Sequence, residues 1–529
     1  MRQTWEALIQ TRTLVLDEMV ARHSAGLGRE AEGAGMVEAS NALQDARQRL
    51  ANLLVRGPGG DPTDRFRSLL RSARLEMERA ERALGSKRPG PFRERSTRPG
   101  LQDVFDGLPS RWGLVAFASY SEGTRRRYVA FVRGSEGEPT TLAIGDAARI
   151  DALVHRWLSD LLADPSDAGS AAARAEARSR VSGRALRAAI WQPVRTVLGH
   201  VDGLIIVPDG SIHGVNFGAL PTGSAGYLVE ESPILHYVTS ELDIAAAKSR
   251  LPRGAGLLAF GGVDFGVTGR GGASAKTDSN PHDGSEPDCE GFYAAKFEPL
   301  PQSRLEVEEL SRIWNDSTGA TVVVGPRATE ETFKRLAPGK LVIHLATHGF
   351  FLDPNQCLQP APGARGIGGL QFGVRRVEHS AFSEKSPLLL SGLALANANH
   401  RARAVSQEDD GILTAEEVAS LDLRGVEWAV LSACDTGVAG SERSEGVLGL
   451  RRAFRTAGVA TLVTSLWPVQ DLPARLWMKA LYKNRNRSGA GTARAVRAAM
   501  LEMLQSRRAQ GRSTNPYFWA AFLAAGDWN

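Results

Sequence analysis

The chain has 529 residues, 42% of them hydrophobic and 23% charged, with a net charge of +5. That length exceeds one ordinary core and implies two or three domains. The composition is that of a globular protein, neither disordered nor collagenous, and no run of eighteen apolar residues is present to span a membrane. Arginine and acidic residues are interspersed with no basic block and no stacking motif, which argues against nucleic acid as a partner.

The N-terminal stretch MRQTWEALIQTRTLVLDEM carries Glu6, Asp17 and Glu18 and lacks the apolar centre of a secretory signal, so a cytoplasmic location is expected. Residues 1–100 read as helices. Leu8, Ile9, Leu14, Leu16, Met19 and Val20 recur at spacings near three and four. The pattern repeats over 42–55, is broken by GPGGDP at 57–62, and resumes in TDRFRSLLRSARLEMERAERAL. These apolar stripes need a covering surface, either the rest of the chain or a protein partner. A linker rich in Pro, Gly and charge occupies 86–100.

An α/β region is expected over 101–253. WGLVAFASYS and RRYVAFVRG read as paired strands, and VDGLIIVPDGSIHGVNFGAL as an apolar strand ending in a turn. From Gly254 to the C-terminus strands alternate with helices. The strands are GLLAFGGV, ATVVVGP, KLVIHLATHG, SPLLLSGLALA, EWAVLSACDTG and ATLVTSLWPV. Between them lie the helices SRLEVEELSRIW, with Ser303 as its candidate N-cap, TEETFKRLA and SEGVLGLRRAFRTAGV. Such alternation implies a mostly parallel sheet covered on both faces. Long loops are expected over Asp264–Pro301, Asp353–Pro387 and His400–Gly411.

Three cysteines, Cys289, Cys357 and Cys434, are too few and too scattered for a disulfide framework or a thiolate zinc site. His344 and His348 stand four apart, which suits a metal on a helix. Here they fall on a strand, no Glu follows His344, and a metal site is not expected. His344 reads as a strand histidine satisfied by a hydrogen bond. His348 lies where the strand ends and a loop begins, at the edge where α/β sheets bind ligands, and Gly349 frees the backbone beside it. Cys434 ends another apolar strand in the same way. A thiol near an imidazole is the minimum for an activated sulfur nucleophile, although a buried cysteine also serves as a small hydrophobe.

HLATHG, SPLLLSGLALA, GILTAEEVASLDL, VLSACDTG, EGVLGLRRAFRTAGVATLVTSLWPV and NPYFWAAFLAAGD occur in this order and together resemble the CHAT domain, a branch of the caspase and separase cysteine peptidases. The resemblance implies a caspase-like αβα sandwich over 254–529, preceded by a pseudo-peptidase-like α/β region at 101–253. The helical region at 1–100 departs from the extensive tetratricopeptide repeats of the family and reads as a remnant of such repeats or as regulatory helices. It implies a regulated cysteine endopeptidase in which Cys434 is the nucleophile, His348 the general base, and the N–H groups of Gly349 and Cys434 the oxyanion hole. Asp435, Trp467 and Asp471 become candidate substrate-binding residues; the other reading of Asp471 is a cap for the helix beginning near Leu472. No cofactor is implied. The substrate would be a protein, such as a pore-forming gasdermin in bacterial defence. Control would come from a partner on the N-terminal helices, or from cutting of the Asp264–Pro301 loop at Arg270 or Lys276. Two rival readings remain. One is a catalytically silent interaction module of the same fold, which has no need of both His348 and Cys434. The other is a small-molecule hydrolase using Ser211 and His213, which lack a G-x-S-x-G elbow.

Overall fold

The computed structural model describes residues 2–12, 34–58, 63–86, 99–163, 166–246, 253–266, 296–314, 318–351, 388, 391–404, 409–432, 434–435, 443–486 and 491–529; Cys434 and Asp435 are described by their backbone. Cys289, Cys357, Arg270, Lys276 and the 353–387 loop lie outside the described residues.

Among the described residues seventeen strands form in chain order. They are β1 Trp112–Glu122, β2 Arg125–Arg133, β3 Thr140–Asp146, β4 Gly203–Val207, β5 Pro221–Thr222, β6 Gly226–Tyr227, β7 Ile234–Tyr237, β8 Leu257–Val263, β9 Ala320–Gly325, β10 Val342–Leu345, β11 His348–Phe351, β12 Ser391–Ala394, β13 Ile412–Thr414, β14 Trp428–Leu431, β15 Cys434–Asp435, β16 Thr461–Ser465 and β17 Phe522–Gly526. Eleven of them build one sheet in the order β3-β2-β1-β4-β7-β17-β16-β14-β10-β8-β9. Seven of its neighbouring pairs are parallel. Three are antiparallel: β1 with β2, β2 with β3, and β16 with β17. Because β17 hydrogen-bonds β7 on one side and β16 on the other, the segments 101–253 and 254–529 contribute to a single sheet.

The central strands are apolar throughout because both faces are covered. Alternate residues of one strand enter different cores. Leu257 and Ala259 of β8 join a core with Val307, Leu310 and Trp477 from helices Pro301–Ile313 and Asp471–Arg485. Leu258 and Phe260 join a second core with Phe333, Val418 and Phe454 from helices Glu330–Leu336, Ala415–Ser420 and Arg443–Thr456. The result is a three-layer αβα sandwich.

The expected cap at Ser303 is corrected. Helix Pro301–Ile313 begins with Pro at its first turn, and Ser303 sits inside that turn, buried. Its hydroxyl donates to Leu300 O at 2.7 Å and accepts from Gly262 N–H at 2.9 Å, so it ties the helix to β8. The approach is close: a Cβ at Gly261 would meet Ser303 O at 2.4 Å, and Gly262 has a φ of +54°.

The described part of the N-terminal stripes packs on this chain, while Leu14, Leu16, Met19 and Val20 lie outside the described residues. Helices Ala34–Arg56 and Thr63–Ser86 bury Leu43, Ala46, Leu50, Leu54, Ala73 and Met77 in the second core. Gln48 donates to Glu417 Oε1 at 3.1 Å, and Arg56 pairs with Asp410 at 3.8 Å. Helix Arg2–Arg12 sends Trp5 into a third core, stacked on Phe131, with its indole N–H on Glu241.

Candidate active site

Two stretches that read as single strands each break in two. KLVIHLATHG divides into β10 and β11, so His348 opens a second strand instead of entering a loop. EWAVLSACDTG divides into β14 and β15. The second pieces leave the main sheet and pair with each other in a four-stranded sheet ordered β13-β12-β11-β15. In the main sheet Val342 pairs with Trp428, and in the small sheet His348 pairs with Cys434. Both pairings are parallel with the same offset of 86 residues (428 − 342 and 434 − 348), so the register survives the break. Thr347 fixes the break on one side; its buried hydroxyl donates to Ala394 O of β12. Gly349 pairs with Leu393 on one edge and Asp435 on the other.

His348 is 7% exposed. Its Nε2 lies 2.8 Å from Glu298 O. A carbonyl oxygen only accepts, so Nε2 carries the hydrogen and the neutral ring keeps its lone pair on Nδ1. Nδ1 is buried and has no hydrogen-bond partner among the described residues. Burial lowers the pKa below the usual histidine value, with the Glu298 carbonyl opposing that shift, so the ring is neutral at pH 7. The imidazole packs beside the rings of Phe265 and Phe297, at centroid distances of 5.2 and 5.7 Å. An unprotonated, oriented and partly dehydrated nitrogen of this kind is suited to accept a proton.

His344 has the structural role expected of it. It is fully buried, with Nε2 2.7 Å from Glu306 Oε1 and Nδ1 3.1 Å from Tyr482 OH. Among the described residues no group of three or more His, Cys, Asp or Glu is arranged to hold a metal ion.

The other candidates separate. Asp471 is the first residue of helix Asp471–Arg485 and does not cap that helix. Its half-buried Oδ2 accepts from Gln302 N–H at 2.7 Å, at the start of the neighbouring helix. Burial raises its pKa, the Gln302 N–H lowers it, and Glu306 raises it again. Gln302 lies four residues after Glu298, whose carbonyl holds His348, so Asp471 braces the segment that carries that carbonyl. Trp467, expected to meet substrate, is corrected to a core residue. It is 1% exposed, its indole N–H donates to Tyr517 O at 3.3 Å, and it packs edge-on against Trp157. The side chain of Asp435 lies outside the described residues.

Ser211 and His213 do not form a pair. The Ser211 hydroxyl donates to Asp151 Oδ1 at 2.6 Å, and its N–H to Tyr128 OH at 3.1 Å. Burial, together with Arg451, pushes His213 down to about 3. Sequence reasoning missed Phe265, Phe297, the Glu298 carbonyl and Asn399. All four lie at the borders of the long loops, and that position was the only signal available.

Residues 180–527 match the model of the CHAT domain. A 241-residue stretch, 43% of the chain, is 24% identical to human tetratricopeptide repeat protein 28 and covers 8% of that protein. The mouse counterpart is 26% identical over 238 residues. The chain thus spans less than a tenth of the length of the curated relatives it matches. Among solved structures, separase in the Saccharomyces cerevisiae separase–securin complex aligns with 93% of this chain and 34% of its own, at a TM-score of 0.45 and 7% identity. The Arg-specific cysteine proteinase gingipain R of Porphyromonas gingivalis aligns with 72% of this chain and 74% of its own, at 0.33 and 10%.

Proposed function

The chain belongs to the CHAT-domain family, and from that premise we propose that it is a cysteine endopeptidase acting on a protein substrate. Cys434 is the nucleophile and His348 the base. The observation that carries this reading is the parallel register pairing of His348 with Cys434, which sets their backbones one strand spacing apart, about 4.8 Å. A second support is the buried Nδ1 of His348, which has no hydrogen-bond partner among the described residues.

In the proposed reaction, Nδ1 takes the Cys434 thiol proton. The thiolate attacks the scissile carbonyl, and the N–H groups of Gly349 and Cys434 receive the oxyanion, each such donor being worth about 3 to 4 kcal/mol. The imidazolium returns the proton to the leaving amine. Water, deprotonated by the same nitrogen, then opens the thioester. Asp435 and Asp471 are the acidic residues proposed for reading a basic side chain next to the scissile bond.

The test is labelling by a cysteine-directed peptidyl electrophile, with the modified residue mapped by mass spectrometry. Modification at Cys434 that depends on His348 supports the peptidase. Absence of labelling at Cys434 in the folded protein favours the silent module of the same fold. Incubation with candidate proteins, a pore-forming gasdermin among them, then identifies the substrate. For control, we propose a protein partner acting through helices Ala34–Arg56 and Thr63–Ser86, which pack on the same core as the small sheet.

A further inference from the structure

The imidazole of His348 depends on three groups from two separate segments: the ring of Phe265 on one, and the ring of Phe297 and the carbonyl of Glu298 on the other. Phe265 and Phe297 pack against each other at 6.0 Å, yet 31 residues lie between them in sequence (266 through 296), so something outside that stretch must bring them together. One residue touches both segments. The Asn399 N–H donates to Phe265 O at 2.9 Å. The Asn399 side chain accepts from Phe297 N–H through Oδ1 at 2.7 Å and donates to Phe297 O through Nδ2 at 3.0 Å. Lys296 Nζ donates back to Asn399 O at 3.0 Å.

Resting on the dyad proposed above, we propose that Asn399 is a positioning residue for His348, setting the Glu298 carbonyl on Nε2 so that Nδ1 is presented to the Cys434 strand. The amide offers Phe297 the same donor and acceptor that a neighbouring β-strand would. Holding both the N–H and the C=O of Phe297 fixes two successive peptide planes. The next carbonyl along the chain is that of Glu298, which leaves only the φ and ψ of that one residue between the clamped planes and the carbonyl on His348. The clamp is itself rigid. Asn399 is 8% exposed, and the short 3-10 turn Ala398–Arg403 that carries it starts after Asn397, held in the left-handed region at φ 69°. Asn397 N–H bonds Asp264 O at 3.0 Å, so the turn is pinned to the segment bearing Phe265. A carboxamide is required here. A hydroxyl is too short to reach both groups of Phe297, and a carboxylate has no hydrogen for the Phe297 carbonyl.

The experiment reads His348 itself as well as the reaction. In the full chain, the Nε2–H proton of a buried, hydrogen-bonded imidazole gives a downfield NMR resonance, assigned to His348 by its loss in His348→Gln. Asn399→Ala and Asn399→Asp should each lose this resonance to solvent exchange while retaining the unsubstituted circular dichroism spectrum. Iodoacetamide alkylation of Cys434, mapped by mass spectrometry, should slow about tenfold at pH 6.5 in both variants as its pH profile moves toward that of an unassisted thiol. Should Asn399→Ala fail to fold, Asn399→Asp, matched in size and retaining the partner for Phe297 N–H, carries the test. An unchanged His348 resonance in a folded variant, or no such resonance in the unsubstituted protein, overturns the inference. If the resonance is lost but His348→Gln leaves Cys434 alkylation unchanged, the dyad fails while Asn399 still orients the ring.

Discussion

His348 and Cys434 are register partners on neighbouring parallel strands, with the 86-residue offset that pairs Val342 with Trp428 in the main sheet. Two strands of the large sheet therefore re-form beyond a two-residue break with their alignment unchanged. The break frees β11 and β15 from the main sheet without separating the residues that open them.

Cys434→Ala and His348→Ala should each abolish peptidase labelling and turnover while leaving the fold intact. The cysteine change conserves size closely and disturbs packing little. Cys289→Ala and Cys357→Ala should keep full activity. Full turnover by Cys434→Ala would remove the dyad from consideration.

Asp471→Asn is a clean probe of charge, because the amide oxygen can still accept from Gln302 N–H. If Asp471 reads a basic side chain, cleavage of a peptide library after Arg and Lys should weaken by about 2 to 5 kcal/mol relative to other sites. An unchanged preference restricts Asp471 to bracing the helix Pro301–Ile313.

Asp410 predicts a pH dependence of stability. Burial, with Glu417 nearby, raises its carboxyl from 3.8 to about 7. The folded protein thus holds a proton between pH 4 and 7 that the unfolded chain has released, so this group's contribution falls as pH rises through that window. Asp410→Asn keeps the acceptor for Ile412 N–H and removes the ionisation. Its unfolding free energy relative to the unsubstituted protein should be higher at pH 8 than at pH 5, by a difference on the order of 1 kcal/mol. An equal effect at both pH values would contradict the assigned shift.

The N-terminal hairpin tests coupling to the site. Leu50 is 2% exposed in the core shared with β12 and β13. Leu50→Ala should destabilise the protein by about 2 to 5 kcal/mol in denaturant titration. If the hairpin governs the small sheet, Cys434 alkylation should slow in the same variant under native conditions. Alkylation at the original rate would confine the hairpin to stability.

Mass spectrometry of active protein decides the mode of control. Cleavage at Arg270 or Lys276 supports activation by cutting. An uncut chain that gains turnover only with a bound partner supports the hairpin route. Full turnover by the uncut chain alone excludes both.

The sequence by itself determined the elements whose signals are local. Apolar runs bounded by turns marked β8, β9, β10, β14 and β16, because strands buried on both faces need no polar alternation. His348, Gly349 and Cys434 stood out as residues at strand ends, and ordered motifs identified the family. Tertiary structure decided what depends on residues far apart in the chain. The two-residue breaks are invisible locally, since Thr347 is held by Ala394 O, 47 residues away. Trp467 resembled a cleft residue until Trp157 and Tyr517 closed over it. Asp471 had two readings, a substrate-binding residue or a cap for its own helix, and its carboxylate accepts from the Gln302 N–H of another helix. Asn399 has no sequence signal beyond its place at a loop border, because its role exists only once Phe265 and Phe297 meet. Local propensity is written in neighbouring residues; the pairing of distant backbone groups is fixed only when the sheet closes.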